Sequence, residues 1–274
     1  MKALKRKLKS VLPRSLWIRM AVIYRRIISV PYRMDMFLFP KKMSCYCPCC
    51  KLKFRSFIEG GFDKEPDFYY MPAFENVRQD LKCPYCESLP RHRILAHWSE
   101  THKDVFKDKS ILYFAPEKSM IIWLYNNRFN CTCADLDGKT DIKLDIQKMD
   151  LPDNSYDIII CNHVLEHVDD YKAALKDVYR VLRPGGSFIC SFPMDPDVSL
   201  VDEDKSIITD EERLVRYGQS DHKRIFGMRS DELIAEAGFD VSVINGDDCP
   251  SEMLPVIGPS KYDINRLFRC VKPI

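Results

Sequence analysis

DIQKMDLPDNSYDIIICNHVLEHVDDYKAALKDVYRVLRPGGSFICSFP, residues 145–193, decides the fold. Asp157-Ile158-Ile159-Ile160-Cys161 is a short apolar run after a turn cluster of Pro152, Asp153, Asn154 and Ser155. Such a run reads as a buried strand covered on both faces. Tyr171 to Leu182 then shows helical spacing. Ala174, Val178, Val181 and Leu182 line one face, and Lys172, Lys176, Asp177 and Arg180 line the other. Arg183-Pro184-Gly185-Gly186 stops the helix, because Pro disfavours helix in the residue before it and the Gly pair supplies a turn. Ser187 to Phe192 is the next strand, which completes a right-handed βαβ unit of a parallel sheet.

Asp157-Ile-Ile-Ile-Cys-Asn-His-Val-Leu-Glu-His-Val, followed by Leu182-Arg-Pro-Gly-Gly, resembles the fourth and fifth strands of class I S-adenosylmethionine-dependent methyltransferases of the type 11-like group. The resemblance implies an α/β fold with a seven-stranded, Rossmann-like sheet and S-adenosylmethionine as cofactor. Its rival is a βαβ unit of some other open α/β protein, since fold never proves function.

The formal net charge of the 274-residue chain is only +2, but its distribution is uneven. Residues 1–42 hold twelve Lys or Arg and a single acid, Asp35, so the remainder is mildly acidic. That argues against a general polyanion-binding face. Twelve Cys, six of them clustered in two places, in a chain read as lacking a secretory leader point to a metal site in a reducing compartment. No stretch reaches the roughly 18–20 apolar residues of a membrane span. The expected location is cytoplasmic, with peripheral contact at the inner membrane face.

Three domains are expected: a basic amphipathic segment over 1–43, a zinc-ribbon-like module over 44–90 and a methyltransferase domain over 91–274. In the first, Leu12, Leu16, Trp17, Met20, Ile23, Tyr24, Ile27 and Ile28 recur at roughly helical intervals, with Arg14, Arg19, Arg25 and Arg26 between them. Such a helix can lie on an anionic membrane. It can equally pack on the catalytic domain with its charges solvated. In the second, Cys47-Pro-Cys49-Cys50 and Cys83-Pro-Tyr-Cys86 echo each other as C-P-x-C. Cys47, Cys50, Cys83 and Cys86 are then four thiolates for a structural, tetrahedral zinc. Cys45 and Cys49 are spare thiols, either of which could replace a named ligand. Lys53 to Phe62 and Phe68-Tyr69-Tyr70 are candidate ribbon strands. A redox-active C-x-x-C pair is the weaker reading, because no thioredoxin-like context surrounds it.

Cys86-Glu-Ser-Leu-Pro-Arg-His-Arg is similar to the segment that joins a zinc ribbon to the catalytic domain in one methyltransferase subgroup, with Glu87 where that subgroup has Gly and Pro90 where it has Glu. Pro90 suits the first turn of a helix, and His92 and His97 read as packed or capping residues. Ile111-Leu-Tyr-Phe-Ala-Pro-Glu117 is the expected first strand and loop, without the usual Gly-rich turn and so without a dinucleotide fingerprint. On the subgroup resemblance Ala115 is the small residue there and Glu117 contacts the methionyl ammonium; a simple helix-start role is the alternative for Glu117. Cys131 to Asp137 is the second strand, whose closing acid accepts hydrogen bonds from the ribose hydroxyls, Asp135 first and Asp137 second. Asp145 and Ile146 stand after the third strand, where the family turns toward adenine, and Asn162 ends the fourth. Acids at successive strand ends suit a ligand in an open α/β sheet.

Met194 to Gly227 is a long polar stretch expected to be a lid or disordered. Its Asp221-His222-Lys-Arg224 cluster resembles a substrate-side segment, with Arg224 available to an anionic substrate group. Ser230 to Ala237 is a helix with Ser230 as N-cap, and Phe239 to Ile244 and Leu267 to Val271 form the closing antiparallel pair. His222 and His163 are the candidate general bases; His167 reads as structural. The expected function is in-line methyl transfer to a hydroxyl of a glycan or small-molecule acceptor. The alternatives are an RNA or protein methyltransferase using the ribbon for delivery and a non-catalytic cofactor-binding scaffold. The near-neutral body weighs against nucleic acid.

Overall fold

Basic and apolar residues alternate through Arg14–Leu38, and the whole stretch is one helix, α1, with Pro31 inside it. The computed structural model describes residues 14–60, 78–138, 140–254 and 265–274. They fall into two compact units, residues 1–46 with 52–56 and residues 47–51 with 57–274. In the first unit α1 lies against β2 (Leu52–Phe54), the strand that pairs with β1 (Cys45–Cys47). Tyr32 meets Phe54 edge-on at 5.4 Å, and Arg55 Nε donates to Asp35 Oδ2 at 2.9 Å. Ile23, Ile27, Val30, Met34 and Phe37 are exposed and recur at helical spacing, so they form one apolar stripe away from that contact. No helix among the described residues is long and apolar enough to cross a membrane. Residues 1–13 of the basic segment, and the aromatic stretch Phe68-Tyr69-Tyr70, lie outside the described residues.

The second unit begins with an antiparallel pair, β3 (Ile58–Gly60) and β4 (Arg78–Lys82). The helix α2 (Pro90–Thr101) follows with Pro90 at its start, as expected, and buries Leu95 and Trp98. A single turn, α3 (Lys103–Phe106), leads to β5 (Ile111–Phe114). From there strands and helices alternate: α4 (Lys118–Asn127), β6 (Cys131–Asp135), β7 (Ile142–Lys143), β8 (Tyr156–Asn162), α5 (Tyr171–Val181) and β9 (Leu182–Ser191). Asp170 caps α5 by accepting from the Ala173 N–H at 3.0 Å. The helix stops where its apolar face ends, but β9 starts at once at Leu182, so the Gly pair lies inside the strand. Gly185 takes φ +75° there, a conformation that favours glycine.

Met194–Asp195 (β10), Val201–Asp202 (β11), Asp210–Tyr217 (α6) and Ile225–Gly227 (β12) replace the expected lid with folded structure. The three strands make their own small sheet in the order β10-β12-β11. Thr209 and Glu212 close a capping box on α6. Helix α7 (Ser230–Ala235) starts one residue earlier than expected, with Arg229 in the cap position. β13 (Asp240–Asn245) and β14 (Arg266–Val271) then pair antiparallel.

The main sheet runs β7-β6-β5-β8-β9-β14-β13. β5 to β9 pair in parallel, and β14 and β13 are antiparallel. Numbered by their order along this sheet's chain path, the strands run 3-2-1-4-5-7-6, the class I methyltransferase arrangement expected above. Strands covered on both faces read as continuous apolar runs, and Ile158, Ile159, Ile160 and Cys161 of β8 are all buried. α5 lays Ala174, Leu175, Val178 and Val181 on that core. At about 25 cal/mol per Å² of apolar surface, each such fully buried aliphatic side chain contributes roughly 1.5–3 kcal/mol. The sheet's order reverses between β5 and β8, and ligands of open α/β sheets bind beyond the strand C-termini at such a switch.

Candidate active site

Register brings three of the expected cofactor residues into one row. Phe114 of β5 pairs with Ala134 of β6 and with Cys161 of β8. The next row therefore holds Ala115, Asp135 and Asn162 at the C-terminal rim of three adjacent parallel strands, spaced about 4.8 Å apart. Ala115 takes φ +45°, so the backbone makes a glycine-like turn although the residue is alanine. The Ala115 N–H is held by the Ala134 carbonyl at 2.8 Å. Asp135 is half-buried, and its carboxylate has no hydrogen-bond or ion-pair partner among the described residues. Asp137 lies exposed in the turn beyond it.

Asn162 is buried and engaged on both sides of its amide. Its Nδ2 donates to Tyr113 Oη at 3.0 Å, and its Oδ1 accepts from Ser191 Oγ at 3.0 Å. Asp145 is also engaged, since Oδ1 accepts from the Gln147 backbone N–H at 2.9 Å and from the Gln147 amide at 3.2 Å. Ile146 packs its side chain into the core at 3 % exposure, which leaves only its backbone to a ligand.

Glu117 sits in the cap position of α4 without capping it through its side chain. One carboxylate oxygen accepts from Arg91 at 2.6 Å, and the other meets His92 Nε2. His92 Nδ1 accepts from the Leu89 N–H at 3.1 Å, so the proton of this imidazole is on Nε2 and points at Glu117. His92 is thereby the capping histidine that the sequence suggests. Burial pushes its pKa down against the pull of Glu117. Glu117 itself is pushed up by its surroundings, but the His92 bond and the Arg91 charge outweigh this and hold it well below the usual carboxylate range.

Beyond the β8 rim, residues 163–169 turn back toward the segment 217–224. His163 takes φ +53° and donates its N–H to the Ser191 carbonyl at 2.8 Å. Burial first, then the Arg91 charge, push its pKa to about 4, so the imidazole is neutral at pH 7 and a weak base. His222 is 2 % exposed, and its Nδ1 donates to the Tyr217 carbonyl at 3.0 Å. Burial lowers its pKa too. It lies in packed structure, not on a mobile lid.

Arg224 corrects an expectation. It is fully buried, and its guanidinium donates to the carbonyls of Leu165 (2.7 Å), Val168 (2.6 Å) and Asp169 (3.0 Å) and to Glu203 (2.9 Å). It clamps the 165–169 turn and is not available to an anionic substrate. The Lys223 N–H donates to the Glu166 carbonyl at 2.8 Å, which adds a second tie between the same segments. Glu166 is the residue that sequence reasoning missed. Its side chain is wholly buried, and among the described residues it meets only imidazoles, His163 Nδ1 at 3.3 Å from Oε1 being the nearest. The signal was the H-x-x-E-H spacing of 163–167, which puts His163 and His167 within reach of one carboxylate.

The four expected thiols come together: Cys47, Cys50, Cys83 and Cys86 are buried, with sulfurs within 4.8 Å of one another. Cys47 and Cys86 are 3.5 Å apart, and Cys50 and Cys83 are 3.9 Å apart. A tetrahedral zinc with bonds of about 2.3 Å sets sulfurs about 3.8 Å apart, so the donor set fits. Each C-x-x-C closes as a knuckle. Lys51 N–H donates to Cys47 O at 2.8 Å and Glu87 N–H to Cys83 O at 2.9 Å, and both Lys51 and Glu87 take positive φ, 60° and 65°. Ser88 Oγ lies 3.1 Å from Cys47 Sγ. The spare Cys49 instead donates to the His92 carbonyl at 3.4 Å.

The family described as Methyltransferase domain matches residues 123–190, from α4 to β9. A demethylmenaquinone methyltransferase of Listeria monocytogenes is 35% identical over 71 residues, 26% of this chain and 30% of its own length. The Staphylococcus epidermidis protein of the same name is 43% identical over 54 residues, 19% of this chain and 22% of its own. The chain thus matches less than a third of these curated relatives. Among solved structures, a SAM-dependent methyltransferase from Archaeoglobus fulgidus superposes with TM-score 0.46 at 15% identity, over 66% of this chain and 94% of that one. Haemonchus contortus phosphoethanolamine N-methyltransferase 2, in complex with S-adenosyl-L-methionine, gives 0.40 at 15% identity, over 65% and 53%. The strand order of the sheet and the match over residues 123–190 lead to one conclusion: this chain has the class I methyltransferase fold, and its central βαβ region matches a methyltransferase domain.

Proposed function

We propose that the protein is an S-adenosylmethionine-dependent methyltransferase acting on a hydroxyl of a glycan or small-molecule acceptor. The observation that carries this reading is the row Ala115, Asp135 and Asn162 at the rim of a 3-2-1-4-5-7-6 sheet, with the Asp135 carboxylate unpartnered among the described residues. Asp135, with Asp137 second, takes the ribose hydroxyls; Asp145 and the backbone of Ile146 flank the adenine; the Ala115 turn and Glu117 face the methionyl end. Bound there, the cofactor would supply an electrophilic methyl on sulfur, and in-line transfer would form a C–O bond, break the C–S bond and leave the electron pair on sulfur. The chain's own contribution is to hold the acceptor oxygen in line and to accept its proton, the role for which His163 and His222 are candidates.

The relatives named for demethylmenaquinone share under a third of their length with this chain. The folded segment 194–229 lies beyond the family match, so their acceptor is not carried over. A hydroxyl acceptor suits the imidazoles of His163 and His222 beyond the β8 rim, which would take its proton. Transfer of radiolabelled methyl groups to a source-cell extract, fractionated into glycan, small molecules, lipid, RNA and protein, tests the assignment. Label in the glycan or small-molecule fraction is expected; label confined to RNA or protein would overturn it.

Two further assignments complete the reading. Cys47, Cys50, Cys83 and Cys86 hold one structural zinc in a module over 44–90, ahead of the methyltransferase domain over 91–274. The apolar stripe of α1, with the basic residues of 1–42, docks peripherally on anionic lipid from the cytoplasmic side. Each basic residue near such a surface contributes about 1 kcal/mol. Liposome flotation that falls with salt and vanishes on deletion of 1–42 is expected; equal flotation without the segment excludes lipid docking.

A further inference from the structure

Glu166 poses the sharpest question in the molecule. A carboxylate with no exposed surface, faced only by imidazoles, is costly, because burial removes water and the long His163 contact only partly replaces it. The groups around it are imidazoles. His163 Nδ1 lies 3.3 Å from Glu166 Oε1 and His167 Nε2 lies 3.9 Å from it. One ligand atom from each of Glu166, His167 and His222 lies within 4.8 Å of the others.

The tautomers decide what these imidazoles offer. His222 Nδ1 faces the Tyr217 carbonyl at 3.0 Å, and an oxygen that only accepts requires a proton on that nitrogen. His167 Nδ1 faces the Asp221 carbonyl and the Asp221 carboxylate, both at 3.3 Å, and carries its proton for the same reason. In both rings Nε2 is left as a bare lone pair. With both rings neutral, two lone pairs converge on a carboxylate whose other neighbour is His163, and these three groups cannot hydrogen-bond one another. Such a set is matched by a cation. The outer bonds from Nδ1–H to carbonyl or carboxylate are those that orient metal-ligating histidines. The Arg224 clamp and the Lys223 tie hold the two ligand-bearing segments together.

We propose that Glu166, His167 and His222 form a site for a divalent transition-metal cation. Bonds of about 2.1 Å draw ligand atoms to about 3.0–3.4 Å, a contraction of up to about 1.4–1.8 Å from their 4.8 Å limit that side-chain rotation supplies. Three protein ligands leave coordination positions open, the pattern of catalytic rather than structural metal sites. His167, 32% exposed, marks the side open to solvent. On the reading of this protein as a hydroxyl methyltransferase, on which this last step rests, an open position takes the acceptor oxygen and lowers its pKa. His222 then acts as a ligand, not as a base.

The test counts metal on the full-length protein and does not depend on activity. Purified wild type, Glu166→Gln and His167→Asn are loaded with Zn2+, Mn2+ or Co2+, desalted and analysed by mass spectrometry. Wild type is expected to hold one more equivalent of at least one cation than either variant, whatever the thiol cluster holds. Wild type alone should also show a rise in Tm on adding that cation. Glu166→Gln removes, without changing shape, a buried charge that only imidazoles answer, so the metal-free variant should melt no lower than metal-free wild type. Equal metal content and equal Tm response in all three proteins would overturn the site. Calorimetry with S-adenosylmethionine on the same samples keeps the two readings apart. Retained cofactor binding in all three with no metal difference removes the metal site alone. A metal difference without cofactor binding removes the methyltransferase reading alone.

Discussion

The two ends of strand β8 carry buried or half-buried acids in opposite conditions. At its start, Asp157 Oδ2 accepts from the Ser110 N–H (2.8 Å), the Ser110 hydroxyl (2.7 Å) and Arg183 (2.9 Å). Past its end, Glu166 is met only by imidazoles, at 3.3 Å and beyond, and across the rim Asp135 meets no partner among the described residues. The first acid ties β8 to the residue that enters β5 and has spent its bonding capacity. The other two have theirs in reserve. In a parallel sheet this difference separates the end that holds the fold from the end that meets ligands. The thiol cluster is a third case, four donors converging on one point with no place left open.

The largest effect is expected at that closed cluster. Cys83→Ser should abolish zinc retention and make residues 44–90 protease-sensitive, since structural zinc binding is folding energy on the order of 10 kcal/mol in small zinc domains. Unchanged zinc content would move the ligand set away from Cys83. The satisfied acid comes next. Asp157→Asn should cost about 1.5–3 kcal/mol at pH 7 by denaturant unfolding. Partial burial pushes the Asp157 pKa up, but the Ser110 hydrogen bonds and the Arg183 charge outweigh it and hold the group below its ordinary value. A lowered folded pKa means the stabilisation is complete above the unfolded value of about 3.9 and is lost as pH falls through the folded value. The gap between wild type and Asp157→Asn should therefore close in acid; a constant gap would show that shape, not charge, is at work. The smallest effect is at a knuckle. Glu87 holds φ +65° and an exposed pair with Lys118, which contributes little. Glu87→Gly should stabilise by about 1 kcal/mol, visible as a Tm rise of about 2–4 °C. A fall in Tm would give the Lys118 pair more weight than its exposure suggests.

Local signals carried much of this architecture. The apolar run 157–161, the helical spacing from Tyr171 and the paired C-P-x-C motifs each report on a few neighbouring residues, and β8, α5 and the thiol cluster stand where those signals put them. What was not legible depends on partners far along the chain. The polar residues 194–227 looked like a lid because no strand there exceeds three residues, yet β10, β11 and β12 satisfy one another as a small sheet. Arg224 looked like an anion holder because nothing in its own segment shows the three carbonyls, some 55–59 residues back, that bury it. The resembling subgroup has Gly where this chain has Glu87, and the general class I pattern has a Gly-rich turn where it has Ala115. The left-handed backbone persists at both with other residues in place, so the motif had changed while the turn had not.

Titration calorimetry with S-adenosylmethionine on wild type and Asp135→Ala tests the central claim most directly. A charge-assisted contact to the ribose is worth about 1.5–3 kcal/mol, so the account predicts one site per chain and a ten- to hundredfold loss of affinity in the variant, with unchanged Tm in the absence of ligand. No binding to wild type, or equal affinity in wild type and Asp135→Ala, would contradict it.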